Sequence, residues 1–151
     1  FIYSEQGLMA EANEQGESTK AYGFNPVAAQ QGLWSTDPIW QANVADNQLN
    51  GTETTYHYLH TDHLYTPILA TNKEGSITWK AVQEAFGALN ALNQSRISMN
   101  LRFPGQYYDE ETGTHYHYRR DYRSNMGRYT DGYPFGLNGG INIDGYAKTK
   151  P

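Results

Sequence analysis

Four side chains of the types that bind metal ions lie in one short segment: His57, His60, Asp62 and His63. A zinc ion could use three such side chains, with water as the fourth ligand. The surrounding sequence alternates as a strand does, however, and in a strand His57 and His60 point to opposite faces. We therefore favour a polar turn held by side-chain hydrogen bonds, and predict no metal and no cofactor.

A second group interleaves basic and aromatic side chains: Arg119, Arg120, Arg123 and Arg128 with Tyr118, Tyr122 and Tyr129. Such a surface could stack nucleic-acid bases on its rings. Nearby carboxylates offset the charge, and the formal net charge of the chain is −5. Because a nucleic-acid binder should keep an excess of positive charge, we predict internal pairing and arginine-on-tyrosine stacking, and no nucleic-acid partner.

The composition excludes several other classes of protein. The chain has 151 residues, one domain's length, with 38% hydrophobic and 14% aromatic residues and no cysteine. Absence of cysteine excludes disulfides and cysteine-based zinc sites. No apolar run approaches the roughly 20 residues needed to span a bilayer, and no Ser-His-Asp spacing is visible. The glycine-rich segment 136–140 lacks the Lys and Ser/Thr of a phosphate-binding loop.

A turn pattern recurs along the chain, in which Asn, Asp or Ser precedes a glycine by three or four positions. It occurs at 13–16, 72–75, 109–113 and 124–127. Asn followed by Gly three positions later fits a type I turn that ends in a left-handed residue. With 15 glycines and 13 tyrosines in the chain, the recurrence predicts an array of β-hairpins.

Residues 25–53 are expected to interrupt this array. Two X-Pro pairs within it, at 25–26 and 37–38, favour extended or turn conformations. We interpret the segment as a long ordered loop anchored by Trp34 and Trp40, because two large aromatic side chains supply more burial than a linker needs. The two tryptophans also leave open a small module that binds sugars or surfaces.

Residues 82–89 carry apolar side chains at helical spacing, with Gly87 among them. Glycine inside a helix costs about 1 kcal/mol relative to alanine. A short helix and a strand followed by a turn are both compatible with this segment.

Several longer stretches carry a common signature: YHYLHTDHLYTP at 56–67, TWKAVQEAFGA at 78–88, NLRFPGQYYDEETGTHYHYRRDYRSNMGRYT at 100–130 and PFGLNGGINIDGYAKTKP at 134–151. They resemble the Rhs/YD-repeat family of bacterial polymorphic-toxin core proteins. YGFNP and WSTDPIW also resemble the loop before the last repeats of that family. The resemblance covers nearly the whole chain and is most specific at 100–130.

The resemblance implies a mostly β fold in which consecutive antiparallel hairpins spiral into a hollow shell closed by a C-terminal plug. A strand through Phe86 is expected. The chain is too short for a shell, so we expect terminal hairpins over 1–99, with the long loop at 25–53, and a core-associated region over 100–151. It would be a truncated piece with no toxin after Pro151.

Family members free their toxin by aspartyl-type self-cleavage, for which two carboxylates share a proton. The resemblance matches the first of these to Arg120-Asp121 and the second to Tyr133. A phenol with a pKa near 10 is neutral at pH 7 and cannot act as the general base. Asp131 could substitute only if a displacement of about 6.6 Å along the strand were closed.

We therefore expect a structural module in which Arg120 and Asp121 are vestigial. The alternative is a self-cleaving aspartyl peptidase that releases a C-terminal toxin. Exposed strand edges should pair with the remaining Rhs repeats or with another copy. The family resemblance adds export through a bacterial secretion machine, such as type VI secretion, and a location in the bacterial cytoplasm before export or outside the cell afterwards.

Overall fold

The computed structural model describes residues 1–92, 95–130 and 132. These residues form twelve short strands and one helix of five residues, α1 at Pro26–Gln30. The strands are β1 Ile2–Ser4, β2 Gly7–Ala12, β3 Ser18–Phe24, β4 Pro38–Asn43, β5 Thr55–Thr61, β6 Pro67–Thr71, β7 Ile77–Gln83, β8 Leu89–Ala91, β9 Tyr107–Asp109, β10 Thr114–His117, β11 Arg120–Arg123 and β12 Arg128–Tyr129.

The strands form two antiparallel sheets. The first has eight strands in chain order, β1 to β8, and the second has four in the order β12-β11-β10-β9. Each strand therefore pairs with its neighbours in sequence, as hairpins do. The predicted mostly β fold of consecutive antiparallel hairpins is confirmed. The expected C-terminal plug lies in a part of the chain that the structure does not describe.

One recurring turn joins many of these strands. The glycines of the four predicted turns all have left-handed backbones, with φ of +82° at Gly16, +80° at Gly75, +68° at Gly113 and +61° at Gly127. In the first two turns the glycine N–H donates to the Asn carbonyl three positions earlier, at 3.0 Å. The four predicted turns are confirmed, since glycine takes this conformation without a steric penalty.

The sequence pattern missed two further turns of this kind. Glu84–Gly87 closes with a 2.9 Å bond from the Gly87 N–H to the Glu84 carbonyl. Asp62–Tyr65 closes in the same way at 3.0 Å, although Tyr65 stands where the others have glycine and adopts a φ of +65°. Because this position holds a tyrosine, a sequence pattern that requires glycine does not identify the turn.

The structure corrects the interpretation of 25–53 as a continuous loop. Helix α1 and strand β4 lie within this range, and β4 pairs with both β3 and β5. Ala42 of β4 lies opposite Ala21 on one side and Tyr56 on the other. Proline is acceptable at the first position of a strand, and Ile39-Trp40 favour extended structure, so a strand begins at Pro38.

The segment 82–89 is a strand followed by a turn, which is one of the two structures considered. Strand β7 ends at Gln83, and Phe86 lies in the turn before β8. The expected strand through Phe86 is therefore wrong. The left-handed Gly87, with φ of +85°, fits a tight turn and not a helix.

The larger of two buried clusters joins the two sheets. Trp79, on β7 of the eight-stranded sheet, is only 2% exposed and belongs to it. The core cluster contains Leu8, Tyr22, Phe24, Leu59, Ala70, Trp79, Ala81, Met99, Leu101 and Tyr107. Tyr107 belongs to β9, so the four-stranded sheet is attached to the larger one through buried side chains. Among the described residues, no helix is long and apolar enough to cross a membrane.

Candidate functional site

The predicted catalytic Asp121 lies on β11, an inner strand of the four-stranded sheet, opposite Tyr116 of β10. Its backbone carbonyl accepts hydrogen bonds from the Thr130 N–H at 2.8 Å and the Thr130 hydroxyl at 3.0 Å. Its carboxylate accepts a longer bond from the Thr114 hydroxyl, at 3.4 Å. The backbone of Asp121 is thus held by strand pairing and by Thr130, and its carboxylate contacts the Thr114 hydroxyl.

The neighbouring Arg120 packs on aromatic side chains. Its guanidinium lies 3.6 Å from the centre of the Tyr129 ring, within the range of a cation–π contact. The His117 ring stacks on Tyr129, with centroids 6.0 Å apart, and its Nδ1 bonds to the Tyr129 hydroxyl. Burial lowers the pKa of His117, and the charge of Arg120 lowers it further. A neutral imidazole next to the guanidinium follows from this arrangement.

Asp131 and Tyr133, the two residues considered as partners of Asp121, lie outside the described residues. The roles of Arg120, Asp121, Asp131 and Tyr133 in a dyad therefore stay predictions. Of these four residues, the structure describes the surroundings of Arg120 and Asp121 only.

Of the four potential metal ligands, His57 and His60 lie on strand β5, and only Asp62 and His63 lie in the predicted polar turn. The Asp62 carboxylate accepts hydrogen bonds from the N–H groups of Leu64 and Thr66, at 2.8 and 2.9 Å. His57 is buried and bonds through Nδ1 to the Thr78 hydroxyl at 3.0 Å, whereas His60 is exposed. Burial lowers the pKa of His57. In the described part of the chain, no three His, Cys, Asp or Glu side chains are grouped to hold a metal ion.

The predicted stacking of arginine on tyrosine is confirmed. Besides the Arg120 contact, the guanidinium of Arg119 lies 5.2 Å from the centre of the Tyr118 ring. The sequence reasoning missed a third case, Arg102 at 4.8 Å from the Tyr108 ring. Three arginine side chains of this region thus lie against neighbouring tyrosine rings.

Arg102 anchors a buried polar cluster that the sequence did not indicate. It is only 7% exposed, and its Nη1 donates to the carbonyls of Met99 and Leu101 at 2.7 and 3.0 Å. Burial lowers its pKa to about 10, so the side chain is still charged at neutral pH. Apolar neighbours in sequence predict the burial of this position, but no local pattern identifies the carbonyls that satisfy the guanidinium.

His115 belongs to the same cluster and is 2% exposed. Its Nδ1 bonds to the side-chain oxygen of Gln106 at 3.0 Å, and its ring meets Tyr108 edge to face. Burial lowers the pKa of His115 to about 4, with a smaller contribution from the charge of Arg102. This histidine is therefore a neutral, packed side chain at pH 7.

A second polar cluster centres on Glu11 of β2. The Tyr22 hydroxyl donates to the Glu11 carboxylate, and Lys20 forms an ion pair with it at 3.3 Å. Burial raises the pKa of Tyr22 well above its ordinary value, and the Glu11 charge adds to the shift. Burial likewise raises the pKa of Tyr107, which bonds to the Asn100 side chain at 3.1 Å. These contacts hold the junction of the two sheets.

Comparison with known proteins identifies the class to which this β-hairpin array belongs. Residues 57–93 match the family model described as RHS protein. Over longer stretches the chain is similar to two toxins, and it is an Rhs polymorphic toxin-related protein.

The first of these relatives is Double-stranded DNA deaminase toxin A of Burkholderia cenocepacia, which is 31% identical over 97% of this chain and 11% of its own length. The second is Toxin protein Tse5 of Pseudomonas aeruginosa, which is 38% identical over 62% of this chain and 7% of its own length. The chain thus spans a small part of each toxin.

Solved structures agree with the fold. The crystal structure of TcdB2-TccC3 without its hypervariable C-terminal region matches 91% of this chain and 6% of its own, with a TM-score of 0.62 at 18% identity. The Photorhabdus luminescens Tc holotoxin pore with the mutation TccC3-D651A matches 94% of this chain and 9% of its own, with a TM-score of 0.55 at 14% identity. These likenesses concern the β architecture alone.

Proposed function

We propose that the chain is a structural wall segment of an Rhs/YD-repeat toxin carrier and has no catalytic activity of its own. The observation that carries the proposal is the order of the eight-stranded sheet, β1 to β8, in which every strand adds next to the one before it. A surface built in this way can be lengthened by further hairpins at either edge. Toxic activity would belong to polypeptide outside these 151 residues.

Two regions with different roles follow from this proposal. Residues 1–99 would supply the terminal hairpins of the wall, and residues 100–151 the core-associated region. The partners would be other Rhs repeats or another copy, which pair with strand edges, and a secretion machine. Edge strands offer unpaired N–H and C=O groups to such partners.

The surroundings of Asp121 support a non-catalytic role. Its carboxylate accepts a bond from Thr114, and its carbonyl is bonded twice by Thr130. An aspartyl protease needs a second carboxyl group close enough to share a proton. At the position that the family resemblance gives to that group, the chain has Tyr133, which is neutral at pH 7.

The test for catalysis is the intact mass of a freshly synthesised longer polypeptide that contains these residues. We expect no cleavage. Introducing Tyr133→Asp should start cleavage, and adding Asp121→Asn should stop it again. Asp46→Asn, at an exposed loop position, is the matched control and should change nothing. Cleavage of the unmodified chain that is lost with Asp121→Asn would establish the self-cleaving peptidase instead.

The structural role is tested by exchange with the Burkholderia relative, because the chain aligns with 11% of that protein. The 151 residues would replace the matching segment of the relative. We expect the chimera to assemble with the size and protease resistance of the parent. A chimera with proline at Ala70, an inner-strand position, is the control and should not assemble. A soluble chimera that loses the parental assembly would contradict the wall-segment role.

A further inference from the structure

A groove lined by aromatic side chains lies between the start of the eight-stranded sheet and the four-stranded sheet. We call it the aromatic groove, and it has a volume of about 520 Å³. Its lining consists of Tyr3, Ser4, Glu5, Trp34, Tyr116 and Tyr118. Three separate segments of the chain therefore contribute to one concave surface.

The rings of the aromatic groove are held in place by their neighbours. Tyr3 stacks on Trp34 with centroids 5.8 Å apart, and Trp34 meets Tyr118 edge to face at 5.4 Å. The Trp34 Nε1 donates to the Ser4 carbonyl at 3.3 Å, and the Tyr116 hydroxyl donates to the Tyr118 carbonyl. Because these contacts fix the rings before any ligand arrives, little side-chain entropy is lost on binding.

The chemistry of the lining favours a cation. Aromatic faces attract positive charge, and the groove contains one ionisable acid, the exposed Glu5. A net charge of −5 on the chain adds attraction at longer range. An anionic ligand would meet a carboxylate and the negative faces of the rings.

The molecule itself shows which cation its tyrosines accept. In the four-stranded sheet and the chain segment just before it, Arg102, Arg119 and Arg120 lie on the rings of Tyr108, Tyr118 and Tyr129, respectively. Within the described residues, Arg119 already lies on the groove ring of Tyr118, whereas no arginine or lysine lies over the rings of Tyr3, Trp34 or Tyr116. A planar guanidinium can stack on a ring and at the same time form two bonds to a carboxylate.

We propose that the aromatic groove binds an arginine side chain of a partner polypeptide. The guanidinium packs against the stacked pair of Tyr3 and Trp34 and pairs with Glu5, and the volume of the groove accommodates the backbone on either side of the arginine. The proposal does not depend on whether Asp121 is catalytic, since the groove shares no residue with the predicted dyad.

The experiment titrates the chain with a Gly/Ser peptide that contains a single arginine and follows the indole N–H signals by NMR. Trp34→Phe assigns the Trp34 signal. We expect that signal to move while those of Trp79, which is buried, and Trp40, which lies over Gly23, stay in place. The same peptide with citrulline, which keeps the planar shape without the charge, should bind at least about three-fold more weakly.

Two variants separate the contributions of charge and ring. Glu5→Gln should weaken binding about two- to five-fold, whereas Glu14→Gln, an exposed glutamate in the turn between β2 and β3, should leave it unchanged. Tyr118→Asn removes a ring of the lining and suits the left-handed backbone at this position, where φ is +60°. It should weaken binding to a similar degree.

Four results would overturn the proposal. They are a stationary Trp34 signal at millimolar peptide, equal binding of the citrulline peptide, unchanged binding by folded Glu5→Gln and Tyr118→Asn proteins, and tighter binding of tetramethylammonium or a saccharide than of the arginine peptide. None of these results bears on cleavage or on assembly, so the wall-segment proposal stands or falls separately.

Discussion

The two sheets differ in the side chains that hold them. The eight-stranded sheet buries a largely apolar face, with Leu59, Ala70 and Trp79 side by side on neighbouring strands. The four-stranded sheet buries Tyr122 and His115 and is joined to a buried Arg102. The first sheet thus depends more on the removal of apolar area from water, although it also buries His57 and Thr78, and the second depends more on satisfied polar groups and ring contacts. Their responses to mutation and to pH should differ accordingly.

The largest expected effect is the loss of a large, buried side chain of the first sheet. Trp79→Ala should lower the free energy of unfolding by about 3–5 kcal/mol, because it leaves a cavity in a shared core. Urea denaturation followed by circular dichroism measures the loss. Ile77→Ala, on the same strand but 45% exposed, should cost less than about 1 kcal/mol. A loss below 1 kcal/mol for Trp79→Ala would mean that the core is not where stability is concentrated.

Acidification should act mainly on the four-stranded sheet. The folded pKa of His115 is about 4, below the ordinary 6.5, so between these values the unfolded chain binds a proton that the folded chain excludes. Stability is therefore lost as the pH falls from about 6.5 to 4, by up to about 3 kcal/mol from this residue. Urea titrations at pH 7.5, 5.5 and 4.5 measure the slope.

Removal of the titrating group provides the control for this pH effect. His115→Gln should flatten the acid slope, although it lowers stability at pH 7.5. His60→Gln, at an exposed position, should leave the slope as it is. Parallel slopes for the unmodified chain and His115→Gln would show that other groups set the acid response.

A smaller effect is expected from the buried cation. Arg102→Lys keeps a positive charge but loses the planar donor group that bonds to the Met99 and Leu101 carbonyls. We expect a loss of about 1–3 kcal/mol in the free energy of unfolding. Arg123→Lys, on an exposed position of β11, should change it by less than about 0.5 kcal/mol. Equal effects of the two substitutions would show that the carbonyl contacts contribute little.

The smallest effect tests the feature that the two sheets share. Gly75 and Gly113 both have left-handed backbones, and an added Cβ at either would meet no atom within 4 Å. Alanine at either position should therefore cost about 1–2 kcal/mol through backbone strain alone. In the turn that lacks glycine, Tyr65→Gly should instead relieve backbone strain, so its backbone contribution should raise the free energy of unfolding. Thermal unfolding of the three variants measures this, and unequal costs at Gly75 and Gly113 would show that the turns are not equivalent.

The sequence predicted what depends on local pattern. Alternation placed His57 and His60 on opposite faces, and the Asn-x-x-Gly spacing identified the turns after β2 and β6. Strand β4 was not predicted because it begins at a proline, and whether an X-Pro segment joins a sheet depends on neighbouring strands that no local window contains. The turn at Asp62–Tyr65 was not identified by the glycine pattern, because Tyr65 occupies the position where the pattern has glycine.

The contacts of the candidate site were predictable only in part. The mixture of Arg120 with tyrosines indicated stacking, but the choice of Tyr129 depends on the pairing of β11 with β12. The aromatic groove brings together residues far apart in the chain, such as Tyr3 and Tyr116. Such juxtapositions arise from the docking of one sheet on the other and leave no mark in a short stretch of sequence.

The order of the eight-stranded sheet has a consequence for how the chain reaches its structure. Because every strand pairs with its immediate predecessor, the loops to be closed are short and the entropic cost of each step is small. The first sheet can form hairpin by hairpin as the polypeptide emerges, from β1 onward, without waiting for distant sequence. The four-stranded sheet is the last described part of the chain to emerge, and Tyr107 and Tyr122 then connect it to the first sheet.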